Sequence, residues 1–539
     1  MDLVIIDRMQ NQWDTWLSSR KYYFGYANTQ LPLESELQED NQVVIISSPD
    51  FNIHMKEQSF TRSRTAAAVI DTNVSGTLVS RSVNFPKDFI FGVTTSASQI
   101  EGAWNESGKG ESNVDYRTHF CPESIKDHST VDIACDSYHK VNEDLKIIRE
   151  LGVQSYRFSL SWARILPDGF SNHINNDAIR YYNELINGLI RYNITPLVTI
   201  FHFDYPECLH EIGDWTNTNI IEFYVDYARV VFETFGDRVK HWITFNEPHI
   251  LCTYIKVKKS TVIFEGLEPY LCAYTILIAH AKTYNMYKND FFVNQKGKIG
   301  VAYDMGWLEP KTNSKEDIEA AKRGYEFQVG LYANAIYSKD GDFPAIVKER
   351  VAYMSARQNL SKSRLPKLTS EEIKYIRGTA DFLAINHYKT SLTSEPTNDS
   401  STEISYVVDT HVTEENDPSW PTGENGWPNV PWGMYKLLVY IRDAYGNPTV
   451  YITENGFTEN SLQDNGRINF LQGYIESVSN AIAVGCNVVG YYVWSLMDNF
   501  EFSSGYTVHF GLYQTNFTDP NRTRTPRASA IWYRNCIKN

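Results

Sequence analysis

The sequence predicts a (β/α)8 barrel (TIM barrel) with long βα loops, and three observations carry that prediction. Eight short β-branched or aromatic runs alternate with helix-period segments from residue 83 to the C-terminus. Two of these runs, His241–Phe245 and Thr449–Thr453, are each followed at once by a glutamate beside an asparagine, as Asn246-Glu247 and Glu454-Asn455. No Gly-rich phosphate turn follows the first run, which weighs against a doubly wound open sheet. Two glutamates at the C-terminal ends of separate strands face one another only if both strands belong to one closed parallel barrel.

Taken in order, residues 1–82 form an appended segment. They lack a steady apolar period and end in the Ser/Thr/Arg-rich run Ser59–Arg64 and a small-residue stretch, so they are expected to be poorly structured. Residues 83–539 are expected to form the barrel. Its strands are predicted at Phe89–Thr95, Ser155–Leu160, Pro196–Phe201, His241–Phe245, Lys298–Asp304, Phe382–Asn386, Thr449–Thr453 and Val488–Trp494. Helices are predicted at Asn142–Leu151, Ala178–Arg191, Ile220–Phe235, Pro269–Lys282, Lys315–Ala335, Ser370–Ile376, Gly433–Tyr445 and Ile468–Val484. Asp177 and Thr369 read as N-caps, Gly152 and Gly485 as stops, and Gly456 as the residue that lets the chain turn after Glu454.

Composition narrows the function. The 539 residues are 42 % hydrophobic and 14 % aromatic, ample for a large core, and the net charge of −15 disfavours nucleic acid or an anionic membrane as partner. The longest apolar runs, near Tyr270–Ala281 and Val488–Met497, are too short for a membrane span, and no secretory h-region follows Met1. Seven scattered cysteines make no disulfide framework, although one or two bridges remain compatible with them. Cys121, Cys135 and His139 lack the close ligand pairs of a zinc site, so no metal and no cofactor is expected. Seven Asn-x-Ser/Thr triplets support secretion only weakly in a chain so rich in these residues.

Each predicted strand ends in something polar. The set is Gln99, Arg157, His202 with Asp204, Asn246 with Glu247, Tyr303, Asn386 with Tyr388, Glu454, and Trp494 followed by Glu501. A ring of such residues at the C-terminal face of a barrel marks a site. Two carboxylates, aromatic platforms (Trp494, Trp427, Tyr388) and amide or imidazole donors suit a polyhydroxylated neutral ligand, whose C–H faces rest on rings and whose hydroxyls need oriented partners. Neither a metal-ligand cluster nor a Ser/His/Asp set occurs among these residues. The chemistry on offer is carboxylate acid/base and nucleophilic work on a glycosidic bond.

The stretches Thr244-Phe245-Asn246-Glu247-Pro248 and Ile452-Thr453-Glu454-Asn455-Gly456 resemble the paired signatures of the family 1 glycoside hydrolases, the β-glucosidase family. The resemblance runs from about Phe85 to Tyr533. It includes Phe85–Gly92, Gln99–Ala103, Tyr156–Trp162, Ser363–Pro366, Asp381-Phe382 and Trp494–Glu501. It implies Glu454 as nucleophile and Glu247 as acid/base, with Arg157, Tyr388 and Asn386 supporting the nucleophile. Gln99, His202, Asn246, Trp494 and Glu501 would hold the sugar, with Phe502 beside them. A retaining pair is expected about 5–5.5 Å apart, with Glu454 ionised and Glu247 protonated. The substrate implied is a small β-glucoside and the location extracellular or secretory, otherwise cytoplasmic; the oligomeric state is left open.

Four departures bear on specificity. Phe502 and Phe203 stand where the family usually has Trp, keeping an aromatic face but losing an indole N–H, which affects preference at O4 and O6 of the hexose. His249 follows Asn-Glu-Pro where Trp is common. The segment Leu251–Gly266 lacks the expected Gly-rich stretch and is shortened on the leaving-group side. Alternative readings on the same barrel are a thioglucosidase (myrosinase-like), a transglucosylase and a catalytically silent sugar-binding protein. A thiol-type leaving group needs no proton, so Glu247 weighs against the first, and the presence of both carboxylates weighs against the last.

Overall fold

The computed structural model describes residues 85–254, 266–397 and 401–538. The expected segment 1–82 and most of the shortened stretch after Cys252 lie outside the described residues. Eight parallel strands close a barrel in simple sequence order: β1 (Ile90–Thr94), β2 (Ser155–Ser159), β3 (Thr195–Phe201), β4 (His241–Asn246), β5 (Lys298–Asp304), β6 (Phe382–Asn386), β7 (Val450–Glu454) and β8 (Val488–Trp494). The seam is β1 on β8, with Ile90 opposite Gly490 and Thr94 opposite Trp494. All eight predicted strands are present, shifted by a residue or so at their ends.

The outer helices are α1 (Val141–Leu151), α2 (Asn176–Arg191), α3 (Ile220–Phe235), α4 (Glu268–Met286), α5 (Lys315–Tyr325, continuing through a π-turn into Leu331–Tyr337), α6 (Pro431–Ala444), α7 (Asn465–Ala483) and α8 (Ala528–Cys536). The helices differ from the predicted set at three points. Ser370–Ile376 is a short extra helix before β6, with Thr369 as its expected N-cap, here in a capping box with Glu372, and is no part of the repeat. The helix that follows β8 is α8, which is too short and too near the C-terminus to show a clear period. Asp177 lies in the first turn of α2. The cap is Asn175, whose side chain accepts from the Asp177 N–H. Gly152 ends α1 in the left-handed conformation, as predicted.

The floor of the barrel is a layer in which Leu197, Ile243, Ala302, Phe382, Ala384, Tyr451 and Tyr492 meet. These are inward positions of alternate residues on β3 to β8. Gly92 is required there, because a Cβ would lie 2.3 Å from the Tyr492 ring. The long βα loops carry two further sheets: three strands (Trp307–Pro310, Thr390–Ser394, Thr413–Glu415) and an antiparallel pair (Tyr513–Thr515, Arg524–Pro526). The loop from Trp494 to Glu501 is tied down by Arg527, whose guanidinium donates to Asp498 Oδ1 at 2.9 Å and Oδ2 at 2.8 Å, fully buried.

Removing the cation of that buried pair strands Asp498. Arg527→Met is therefore expected to cost about 3–5 kcal/mol. Urea denaturation monitored by tryptophan fluorescence measures it, and a loss under about 1 kcal/mol would contradict this assignment.

Cys252 and Cys272 form a disulfide between the short helix Pro248–Thr253 and α4, one of the bridges the cysteine count left open. Cys135 is buried and its thiol donates to the Asp498 carbonyl.

Candidate active site

Both glutamates are placed by irregular strand ends. Register shifts interrupt the β4–β5 ladder between Ile243 and Asn246 and the β6–β7 ladder between Ile452 and Glu454. Such irregularities re-aim the following side chain. Glu247 adopts a left-handed φ of 44°, with Pro248 opening the next helix behind it. A non-glycine residue in that region is strained, and strain of this kind concentrates at functional positions. Gly456, by contrast, has no positive φ. It is needed because a Cβ there would lie 2.1 Å from the Trp494 carbonyl, so close approach rather than the turn explains it.

One hydrogen-bonded network joins the two carboxyl groups. Arg157, 1 % exposed on β2, donates through NH1 to Glu454 Oε1 at 2.5 Å and through NH2 to Asn246 Oδ1 at 2.6 Å. The Tyr388 hydroxyl donates to the other Glu454 oxygen at 2.5 Å. Asn386 is the bridge: its amide donates to Glu247 Oε1 at 2.8 Å and to Asn246 Oδ1 at 3.0 Å. Its own oxygen accepts from Thr453 Oγ1 at 2.8 Å.

The electrostatics separate the pair. Burial pushes both carboxyl groups up. For Glu454 this is opposed by Arg157, Tyr388 and Asn386, which all stabilise its ionised form. For Glu247, burial is reinforced by the charges of Glu454 and Asp304, so it stands well above the usual carboxylate range. One proton shared between them therefore resides on Glu247.

A second cluster sits beside this one. Gln99 donates to Asn499 Oδ1 at 2.8 Å and to the Phe500 carbonyl at 2.7 Å, and more weakly to Glu501 Oε2 at 3.5 Å. Trp494 Nε1 donates to Glu501 Oε1 at 3.2 Å. His202 stacks on Trp494 with centroids 6.1 Å apart and lies 3.3 Å from the Asn246 amide, joining the two clusters. Burial and then Arg157 hold His202 well below the usual imidazole range, so it is neutral. Phe203 and Phe502 meet edge to face at 5.6 Å, both with positive φ.

Burial pushes Glu501 up to about 8. Its folded pKa lies above the unfolded value near 4.5, so its contribution to stability is complete below that value and is lost as pH rises through about 8. Replacement by glutamine removes this dependence. The melting temperature of Glu501→Gln relative to wild type is expected to rise steadily between pH 5 and 8; a difference constant with pH would contradict it.

The sequence thus placed Gln99, Arg157, His202, Asn246, Glu247, Asn386, Tyr388, Glu454, Trp494, Glu501 and Phe502 in one mouth, and the structure brings them together. Two members of the ring do not belong. Tyr303 packs its ring on Tyr337 of α5, 6.2 Å away, because its place in β5 points outward. The next residue, Asp304, reaches the mouth instead. Asp204 lines a separate small cavity with Glu101 and Lys109. Sequence reasoning also missed Thr453 and Asn499; residues that act only through a neighbour's amide leave no pattern of their own.

The comparisons with known proteins agree with this geometry. The family model described as Glycosyl hydrolase family 1 matches residues 81–539. The chain is 44 % identical over 463 residues to Myrosinase 1 of Brevicoryne brassicae, covering 84 % of this chain and 98 % of that one. It is 41 % identical over 464 residues to the human cytosolic beta-glucosidase, again covering 84 % and 98 %. A rice beta-glucosidase crystal structure superposes with a TM-score of 0.78 at 35 % identity, over 84 % of this chain and 98 % of that one. With the profile spanning the whole barrel and the paired glutamates at its mouth, the chain belongs to glycosyl hydrolase family 1.

Proposed function

We propose that the protein is a retaining β-glycosidase that hydrolyses the terminal β-glucosidic bond of small β-glucosides by double displacement. The observation that carries this reading is the unequal treatment of two neighbouring carboxyl groups. Arg157 and Tyr388 hold Glu454 as the ion, while Glu247 keeps its proton. Glu454 is the nucleophile and attacks the anomeric carbon as Glu247 protonates the departing oxygen. Esterification then removes the Glu454 charge, Glu247 acidifies, and it deprotonates the water that releases the sugar.

In this reading Gln99, His202, Asn246, Glu501 and Trp494 hold the glucosyl unit, with Phe502 over its C4–C6 side. The human cytosolic beta-glucosidase supports the glucoside assignment. The similarity to Myrosinase 1 of Brevicoryne brassicae makes glucosinolates the substrate to run alongside. No described helix is long and apolar enough to cross a membrane.

The test is hydrolysis of an aryl β-glucoside followed by proton NMR. Release of β-glucose as the first-formed product is expected. First-formed α-glucose, or no turnover of aryl β-glucosides, would overturn the proposal.

A further inference from the structure

A cavity of about 380 Å3 opens from Glu247, Asn386 and Tyr388, and none of the residues proposed to hold the sugar lines it apart from that shared edge. It therefore lies on the leaving-group side. Its volume is within the range of small-molecule sites. Ile250, Leu308, Phe327 and Val412 give it apolar walls, and Trp427, 40 % exposed and tilted against Tyr388 at 5.3 Å, forms an aromatic rim.

Among the polar residues of the lining, one largely buried pair lies next to Glu247. The left-handed turn at Glu247 and the helix start at Pro248 place His249 at the cavity, buried. Asp304, the last residue of β5, meets it: Nδ1 of His249 lies 2.8 Å from Asp304 Oδ2. The same Asp304 oxygen accepts from Gln328 Nε2 at 3.1 Å. The imidazole is wedged among the rings of Tyr254, Tyr332 and Tyr406 at 5.6, 6.4 and 5.7 Å.

A carboxylate can only accept, so Nδ1 carries the proton that faces Asp304, and the tautomer this selects offers Nε2 as its acceptor edge. No hydrogen bond to Nε2 occurs among the described residues. An acceptor edge held this firmly, in a largely apolar cavity, discriminates by what it pairs with. A ligand that displaces water there without offering a donor leaves the edge unpaired. The described cavity offers little to an anion. Asp304 and Glu414 line it, and its ammonium, Lys389, already lies 3.8 Å from Glu414.

We propose that His249, oriented by Asp304, is a specificity-determining residue that accepts a hydrogen bond from a hydroxyl on a flat, uncharged, apolar aglycone of about two fused rings. The inference deepens the β-glucosidase reading and rests on it. Asp304 acts here as a positioning residue. Without its charge the imidazole is free to exchange tautomers and turn the wrong edge to the ligand.

The experiment compares kcat/KM for 2-naphthyl β-glucoside with its 6-hydroxy and 7-hydroxy derivatives, on wild type, His249→Phe and Asp304→Asn, with a glucosinolate as a further arm. Wild type is expected to favour one hydroxylated isomer by about five- to tenfold, the worth of one neutral hydrogen bond. Both variants are expected to bring the ratio to near one. The ratio is taken on a single preparation, so a partly folded sample does not alter it.

Parity of the three naphthyl substrates in wild type, or an undiminished ratio in the variants, overturns the inference and leaves the β-glucosidase reading standing. A glucosinolate turned over faster than the naphthyl glucosides overturns the uncharged-aglycone assignment. Failure to turn over any β-glucoside defeats both readings.

Discussion

Replacing Glu454 by glutamine is expected to lower turnover of aryl β-glucosides by about 10⁴-fold or more, the largest effect of any single change here. The amide cannot attack the anomeric carbon, and no neighbouring carboxylate is placed to substitute. Glu247 sits across the network, hydrogen-bonded to Asn386, and burial together with the charge of Glu454 keeps it protonated. The variant also leaves the buried Arg157 without its counter-charge, so its melting temperature is expected to fall. Steady-state assays well below that temperature separate the two effects. Near-normal turnover by a folded Glu454→Gln protein would remove the double-displacement mechanism altogether.

Glu247→Gln is expected to show the second largest effect, and one that depends on the leaving group. For an alkyl or unactivated aryl glucoside, loss of the proton donor lowers kcat/KM by about 10²–10⁴-fold. For 2,4-dinitrophenyl β-glucoside, whose leaving group departs without a proton, the first step is largely preserved. The glycosyl-enzyme then accumulates for lack of a base, and added azide releases it as the β-glucosyl azide. Equal losses on both substrates would argue against Glu247 as the proton donor.

The pH profile carries the same sign. Activity falls as rising pH deprotonates Glu247, so the alkaline limb of kcat/KM is assigned to that group and disappears in Glu247→Gln. Asp304→Asn removes one of the charges that hold this proton, after burial and Glu454, and is expected to move the limb to lower pH.

The strands of this barrel were legible because each is a short run of β-branched and aromatic residues closed by polar ones. Seven of the eight repeat helices showed because their apolar period is long enough to register. The exception, α8, spans Ala528–Cys536, too few residues for a period to stand out at the chain's end. The ring at the mouth was legible for a simple reason: a polar residue directly after an apolar strand is conspicuous. That rule also produced its errors. It selected Tyr303 rather than Asp304 and included Asp204, because it cannot see the one-residue alternation and local shifts that decide which side chain faces inward.

The amino-acid order by itself determined the barrel, its family and the two glutamates, since all three rest on local patterns and their succession along the chain. The meeting of Arg157, Asn386 and Tyr388 around those glutamates was decided only in three dimensions, as was the pairing of His249 with Asp304. These contacts join residues 55 to 297 positions apart, and which carboxyl group keeps its proton depends on burial and on charges brought near by closure of the barrel. No stretch of sequence contains that information, because the field at each group is a sum over neighbours that only folding supplies.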